Sequence, residues 1–127
     1  ELERRRLTEL LGLARRAGLA VAGFDKVKAA IERDRVALLF EATDGAAGGR
    51  ERLTALLAHR AADTPVLAVL EAAELGRALG RDHAVHVAIA AGGLAERLLQ
   101  AAERVKRLQA GDDETNSQDR RHRAVER

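Results

Sequence analysis

The segment from Gly23 to Lys28, with the sequence GFDKVK, combines residue types that suit contact with a nucleic acid. Gly23 leaves the start of a predicted helix open, so the free N–H groups of its first turn, with Lys26 or Lys28, could contact phosphates. Asp25 carries a carboxylate that can accept a hydrogen bond from a base edge. The same pattern also fits an ordinary helix start with solvated lysines, and the residues alone leave both interpretations open.

The chain has few of the residues that form many catalytic and metal sites, namely histidine, serine and cysteine. The four histidines are His59, His83, His86 and His122. His83 and His86 lie three residues apart on a predicted strand, where alternation places them on opposite faces, so we expect no metal site. The single serine, Ser117, and the absence of cysteine leave no recognisable nucleophile motif. We therefore expect a protein that is not an enzyme and has no cofactor.

Two pairs of glycines, Gly48-Gly49 and Gly92-Gly93, precede predicted helices whose free amides could bind an anion. Neither pair has the glycine spacing or the loop lysine of the known phosphate-binding loops. We favour tight turns from a strand into a helix at both places.

The composition limits how the chain could recognise a partner. Its 127 residues are enough for one domain with its own core. Phe24 and Phe40 are the only aromatic residues, so the chain lacks an aromatic platform for stacking single-stranded bases. Recognition of a nucleic acid would have to use shape, backbone amides and arginine. The net charge is +2, and a basic first third and a basic last helix flank a mildly acidic middle.

No segment predicts a membrane partner. The longest apolar run is too short to span a bilayer, and the N-terminus does not resemble a signal peptide, so we expect a cytoplasmic protein. The chain contains no methionine, and from this we expect it to be part of a longer protein.

Apolar periodicity predicts helices alternating with apolar strands, and hence an α/β sandwich with helices on both faces of a small central sheet. Predicted helices cover residues 2–17, 24–34, 48–62, 71–79 and 93–109, and predicted strands cover residues 19–23, 35–43, 66–70 and 83–91. We expect residues 1–109 to form one domain. Residues 110–127 are polar and have no apolar face, which predicts a disordered tail.

Several linked segments resemble the kink-turn RNA-binding superfamily of ribosomal proteins L-seven-Ae and L-thirty-e, in particular its bacterial branch. They are LLGLARRAG at 10–18, AGFDKVKAAI at 22–31, VALLFEATDGA at 36–46, ELGRALGRD at 74–82 and HVAIAAGGLAERLL at 86–99. The resemblance implies a three-layer α/β/α sandwich with a four-stranded mixed sheet and no catalysis. It also implies binding of structured RNA by the start of the second helix and the loop before the last strand.

The family pattern at the second helix is approximately G-x-N-E-x-x-K. The chain matches it at Gly23 but has Asp25 in place of Asn, Lys26 in place of Glu and Ala29 in place of Lys, while Lys28 lies one residue early. Because an ionised Asp accepts hydrogen bonds but cannot donate them, the base-reading position lacks a donor. The resemblance therefore implies a folded RNA and leaves open whether that RNA is a kink-turn.

The second contact element of the family corresponds to the loop from Gly80 to Ala84. Arg81, Asp82 and His83 stand where family members often have small apolar residues, which predicts more contact with phosphates and less with bases. Arg77, one helical turn earlier, could add positive charge. The predicted RNA-binding residues are Gly23, Phe24, Asp25, Lys26, Lys28, Arg77, Arg81, Asp82 and His83.

Together, these features predict a noncatalytic, monomeric module that binds ribosomal or other noncoding structured RNA. We expect Asp25 and Lys26 to lie nearest the bases, and Lys28, Arg81 and His83 to contact phosphates. In some bacteria, domains that resemble this one follow a YlxR-type RNA-binding domain, so an upstream domain of the same chain is a further expected partner. The alternative is a protein-interaction module that keeps the fold without binding RNA and uses its last helix as the contact.

Overall fold

The computed structural model describes residues 1–111 fully and residues 112–126 by their backbone alone. Helices and strands alternate along the chain. In order, they are α1 (Leu2–Arg16), β1 (Ala20–Ala22), α2 (Phe24–Glu32), β2 (Leu38–Glu41), α3 (Ala47–Arg60), β3 (Val66–Leu67), α4 (Ala72–Ala78), β4 (His86–Ile89) and α5 (Gly93–Glu126).

The strands form one four-stranded mixed sheet in the order β1-β4-β2-β3. β4 is antiparallel to both β1 and β2, and β3 is parallel to β2. Every residue of β2 and β4 is buried, because these central strands are covered by helices on both faces of the sheet. This arrangement confirms the predicted three-layer α/β/α sandwich.

The two faces of the sheet carry separate apolar layers. The larger layer packs α1, α4 and α5 onto side chains such as Phe40 and Val87, and the smaller one packs α2 and α3 onto Leu39 and Ala88. Strand alternation therefore places Glu41 and His86, the last residue of β2 and the first of β4, in the α2/α3 layer. They are the only buried polar or charged residues of the fully described chain.

The strands are shorter than the sequence predicts. Residues 66–70 form a strand only at Val66–Leu67, and residues 83–91 only at His86–Ile89, so His83 lies in a loop. At the other end of the chain, α5 is not limited to residues 93–109 but extends to Glu126. The predicted disordered tail, residues 110–127, falls almost entirely outside the fully described residues and stays a prediction. None of the helices in the described part of the chain is both long and apolar enough to cross a membrane.

A partly buried ion pair joins α1 to the start of α4. Nη2 and Nε of Arg4 donate to the two carboxylate oxygens of Glu74 at 2.6 and 3.2 Å, and the backbone N–H of Glu71 donates to the same carboxylate at 3.0 Å. Burial acts to raise the pKa of Glu74, but these hydrogen bonds and the charges of Arg4 and Arg77 outweigh it, so the pKa lies below its ordinary value.

Replacing Glu74 with Gln should therefore lower the stability of the domain at about pH 7 by about 1 kcal/mol, because a two-point contact with arginine is lost. A carboxyl group with a lowered pKa stabilises the fold fully above its unfolded pKa of about 4.5, and this contribution disappears as the pH falls through the lowered value. Urea unfolding should show the difference between wild type and Glu74→Gln shrinking towards about pH 3. A difference that stays constant over this range would contradict the assignment. Glu51→Gln, at an exposed position of α3, serves as the control.

Candidate functional site

The start of α2 and the loop before β4 meet at one end of the sheet, where they line a cavity of about 300 Å³. The start of α3 closes the cavity from a third side. Its lining residues are Gly23, Phe24, Ala46, Gly49, Arg81, His83, Ala84, Val85 and His86. None of these residues is acidic, and three of them carry side chains that are or can become positively charged.

Backbone contacts fix the loop before β4 against its neighbours. The N–H of Ala84 donates to the carbonyl of Ala72 at 3.0 Å, and the carbonyl of Val85 accepts from Ala42 at 2.8 Å. On the other side, α4 approaches so closely that a Cβ at Gly76 would overlap the backbone of His83. The loop that carries Arg81 and His83 is thus held by α4 and by the end of β2.

The start of α2 is tied to the same strand. The N–H of Gly23 donates to the carbonyl of His86 at 3.0 Å. Gly23 is the N-cap residue, with φ of 100°, a backbone conformation that glycine adopts readily, and it has no side chain to cap the first turn. The first helical bond runs from Val27 to Gly23, so the preceding N–H groups of the turn have no partner within the helix. Gly23 therefore exposes the helix start, as the sequence predicts.

The ring of Phe24 contacts both the buried His86 and the exposed Arg52. Its ring meets the ring of His86 edge to face, with 5.9 Å between the centroids. The guanidinium carbon of Arg52 lies 4.9 Å from the centroid of Phe24. Phe24 thus contacts both a buried imidazole and an arginine charge.

His86 lines the cavity and forms a buried pair of ionisable side chains with Glu41, which lies behind it and does not line the cavity. Nδ1 of His86 lies 2.8 Å from both carboxylate oxygens of Glu41, whose exposed fraction is 1%. The two residues are direct partners in the antiparallel register of β2 and β4. Burial raises the pKa of Glu41 above its ordinary value, against the opposing effects of the His86 contact and the charges of His86 and Arg50.

The structure brings together four of the residues predicted to bind RNA. Gly23, Phe24, Arg81 and His83 all line the cavity. Asp25, Lys28 and Asp82 are exposed on the same two segments.

Two of the predicted residues lie elsewhere. Lys26 lines a separate cavity beside β1, together with Arg33 and Arg35. Arg77 lines a cleft between α1 and α4, together with Arg4 and Glu74. Lys26 comes two residues after Phe24 on α2, so it lies on a different face of that helix. Arg77 lies on the face of α4 that is turned towards α1.

The prediction that His83 and His86 lie on opposite faces of a strand is wrong. β4 begins only at His86, so strand alternation does not apply to His83, and both histidines line the same cavity. Within the described residues there is still no group of three His, Asp or Glu side chains placed to hold a metal ion.

Sequence reasoning missed Glu41 and His86. One signal was present: each is an ionisable residue inside an apolar run that was predicted to be a buried strand, and a buried charge requires a partner. The register that pairs these two residues, 45 positions apart, is visible only in the fold.

Gly48 and Gly49, interpreted from the sequence as a tight turn at the start of the helix predicted over residues 48–62, lie inside the first turn of α3, which begins at Ala47. A Cβ added at Gly49 would be 3.0 Å from Nε2 and 3.2 Å from Cε1 of His86, whereas a Cβ at Gly48 would meet nothing within 4 Å. The absence of a side chain at Gly49 allows α3 to approach the imidazole ring.

Comparisons with known proteins support the fold. A solved protein of unknown function from Bacillus halodurans C has a TM-score of 0.71 and 26% sequence identity, and the match covers 76% of this chain and 96% of that one. A Giardia lamblia 15.5kD RNA binding protein has a TM-score of 0.63 and 17% identity, and the match covers 83% of this chain and 91% of that one. No protein-family model matches the chain, and no curated protein matches it.

The adjacent glycines of α3 provide a matched test of this geometry. Gly48→Ala should stabilise the domain by up to about 1 kcal/mol, because alanine favours the helix and meets no obstacle. Gly49→Ala should be less stable than Gly48→Ala, because its methyl group displaces an imidazole that is fixed by Glu41. Chemical denaturation gives the stabilities, and the ring nitrogen resonances of His86 should shift only in Gly49→Ala. Equal stabilities and an unshifted ring would contradict the close approach.

Proposed function

We propose that the chain binds structured RNA, without catalysis, through the surface formed by the start of α2 and the loop before β4. The observation that carries this proposal is the shared cavity, where Gly23 and Phe24 face Arg81 and His83 with no acidic residue in the lining. Free amides of a helix start and arginine are the donors that RNA phosphates accept from. This recognition needs no aromatic platform.

The charges around the cavity extend the proposed surface. Lys26 and Lys28 are exposed on α2. Lys26 also lines a cavity beside β1 together with Arg33 and Arg35, so three positive charges lie along this surface. A phosphate backbone that contacts the start of α2 would pass these cations next. The exposed carboxylate of Asp25 lies where it can accept a hydrogen bond from a base. Arg77 belongs to a different cleft, and we leave it out of the proposed surface.

The fold shared with the Giardia RNA binding protein supports RNA as the partner class. The resemblance to the L-seven-Ae and L-thirty-e ribosomal proteins extends the proposal to ribosomal or kink-turn-like RNA in a bacterial cytoplasm, with a role in translation. Asp25 and Ala29 depart from the kink-turn pattern, so we propose a folded RNA whose bases offer donors to Asp25. We also propose that the protein acts as a monomer and that an upstream YlxR-type domain of the same parent chain is a partner.

The double variant Lys26→Glu/Lys28→Glu should weaken binding to a folded RNA and make the affinity less dependent on salt, because two phosphate contacts are lost. Binding is measured against a panel of ribosomal fragments, kink-turns and unstructured RNAs at several salt concentrations. Lys106→Glu/Arg107→Glu, at two exposed positions of α5, changes the net charge equally on the other side of the sheet and should leave binding nearly unchanged.

Equal losses in the two double variants would mean that only net charge matters, and the proposed surface would be wrong. If the wild-type chain binds no RNA of the panel, the alternative of a protein-interaction module takes its place. The described part of α5 gives that alternative little support, since Leu108 is its only large exposed apolar residue among residues 93–111.

A further inference from the structure

The buried pair Glu41 and His86 leaves one polar atom free at the floor of the cavity. Nδ1 of His86 contacts Glu41, while within residues 1–111 no side chain or backbone group forms a hydrogen bond with Nε2. The side chain of His86 is only 10% exposed, and it lines the cavity. The imidazole is thus held almost entirely inside the protein while its second nitrogen stays available to a ligand atom that enters the cavity.

The chemistry of the pair determines whether this nitrogen donates or accepts. Burial favours the form of the pair that has no net charge. In that form one proton lies between Glu41 and Nδ1, and a second proton is on Nε2. If the shared proton is on Glu41, the neutral imidazole carries its N–H at Nε2; if it is on Nδ1, both nitrogens are protonated. In either case Nε2 donates into the cavity.

Other donors surround the same space. The first turn of α3, which begins at Ala47, has free N–H groups and no side-chain cap, and Gly49 brings this turn against the imidazole. Arg81 and His83 line the same cavity. The positive charges of Arg50 and Arg52 lie close by, the first acting on Glu41 and the second over Phe24. A helix start, an arginine and a buried imidazole N–H together suit a tetrahedral oxyanion.

We propose that this cavity binds a phosphate group, with Nε2 of His86 as a donor and Glu41 as the residue that positions the imidazole. The phosphate could come from two sources: the backbone of a bound RNA or a free phosphate ion. Only the first source rests on the RNA-binding function proposed above.

The test uses the full chain labelled with ¹⁵N, inorganic phosphate as the probe, and the ring nitrogen resonances of the histidines at about pH 6.5. With chloride used to hold the ionic strength constant, phosphate should shift the His86 nitrogens in a saturable way and leave exposed His59 unchanged. His86→Asn keeps a donor near Glu41 but removes Nε2, and should bind phosphate about tenfold more weakly, as expected for the loss of a charge-assisted hydrogen bond. Equal shifts at His59 and His86, or undiminished phosphate binding in His86→Asn, would overturn the proposal.

A second variant keeps the test valid if His86→Asn does not fold. Glu41→Leu/His86→Leu replaces both buried polar groups by apolar ones, a change that folded proteins often tolerate. This variant should fold and lose phosphate binding, and wild-type affinity would overturn the proposal.

Adding RNA to the phosphate complex identifies the source. Displacement of phosphate from His86 indicates an RNA phosphate, whereas simultaneous binding indicates a free ion. If no RNA binds but phosphate still shifts His86, the site stands and the RNA function fails.

Discussion

The contact between Glu41 and His86 is the constraint on which the geometry of the candidate site depends. The antiparallel register of β2 and β4 sets these residues opposite each other inside an apolar layer, where an unpaired charge would cost several kcal/mol. With Nδ1 at 2.8 Å from both carboxylate oxygens, the imidazole has a single orientation. Phe24 packs on its ring, and the absence of a side chain at Gly49 lets the start of α3 lie close to it. The starts of α2 and α3 thus both contact His86.

A buried ion pair is weak evidence for stability, since well-packed apolar residues of similar volume often stabilise a core equally or better. Leucine or valine at both positions would continue the apolar layer formed by Leu39 and Ala88. The pair instead lies directly beneath a cavity lined by Arg81 and His83 and by no acidic residue. A polar group that is costly to bury and that points into a cavity fits binding better than it fits packing. The RNA surface and the phosphate site proposed above both depend on this arrangement.

The sequence predicted the alternation of helices and strands, the α/β/α layers and the start of α2 at Gly23, because these depend on local patterns of apolar residues and glycine. It did not predict the contact of Glu41 with His86, which depends on the register of two strands far apart in the chain. The prediction for His83 and His86 was wrong because the last strand was placed three residues too early. Lys26 was grouped with the start of the second helix, and Arg77 with the loop before the last strand, but each side chain lines a different cavity.

The central claim is that the start of α2 and the loop before β4 form one RNA-binding surface. Ultraviolet crosslinking in cells, followed by sequencing of the bound RNA and mass spectrometry of the crosslinked peptides, tests it most directly. The account predicts an enriched structured RNA and crosslinks within residues 23–28 and 80–86. No enriched RNA, or crosslinks confined to α1 and α5 on the other side of the sheet, would contradict it.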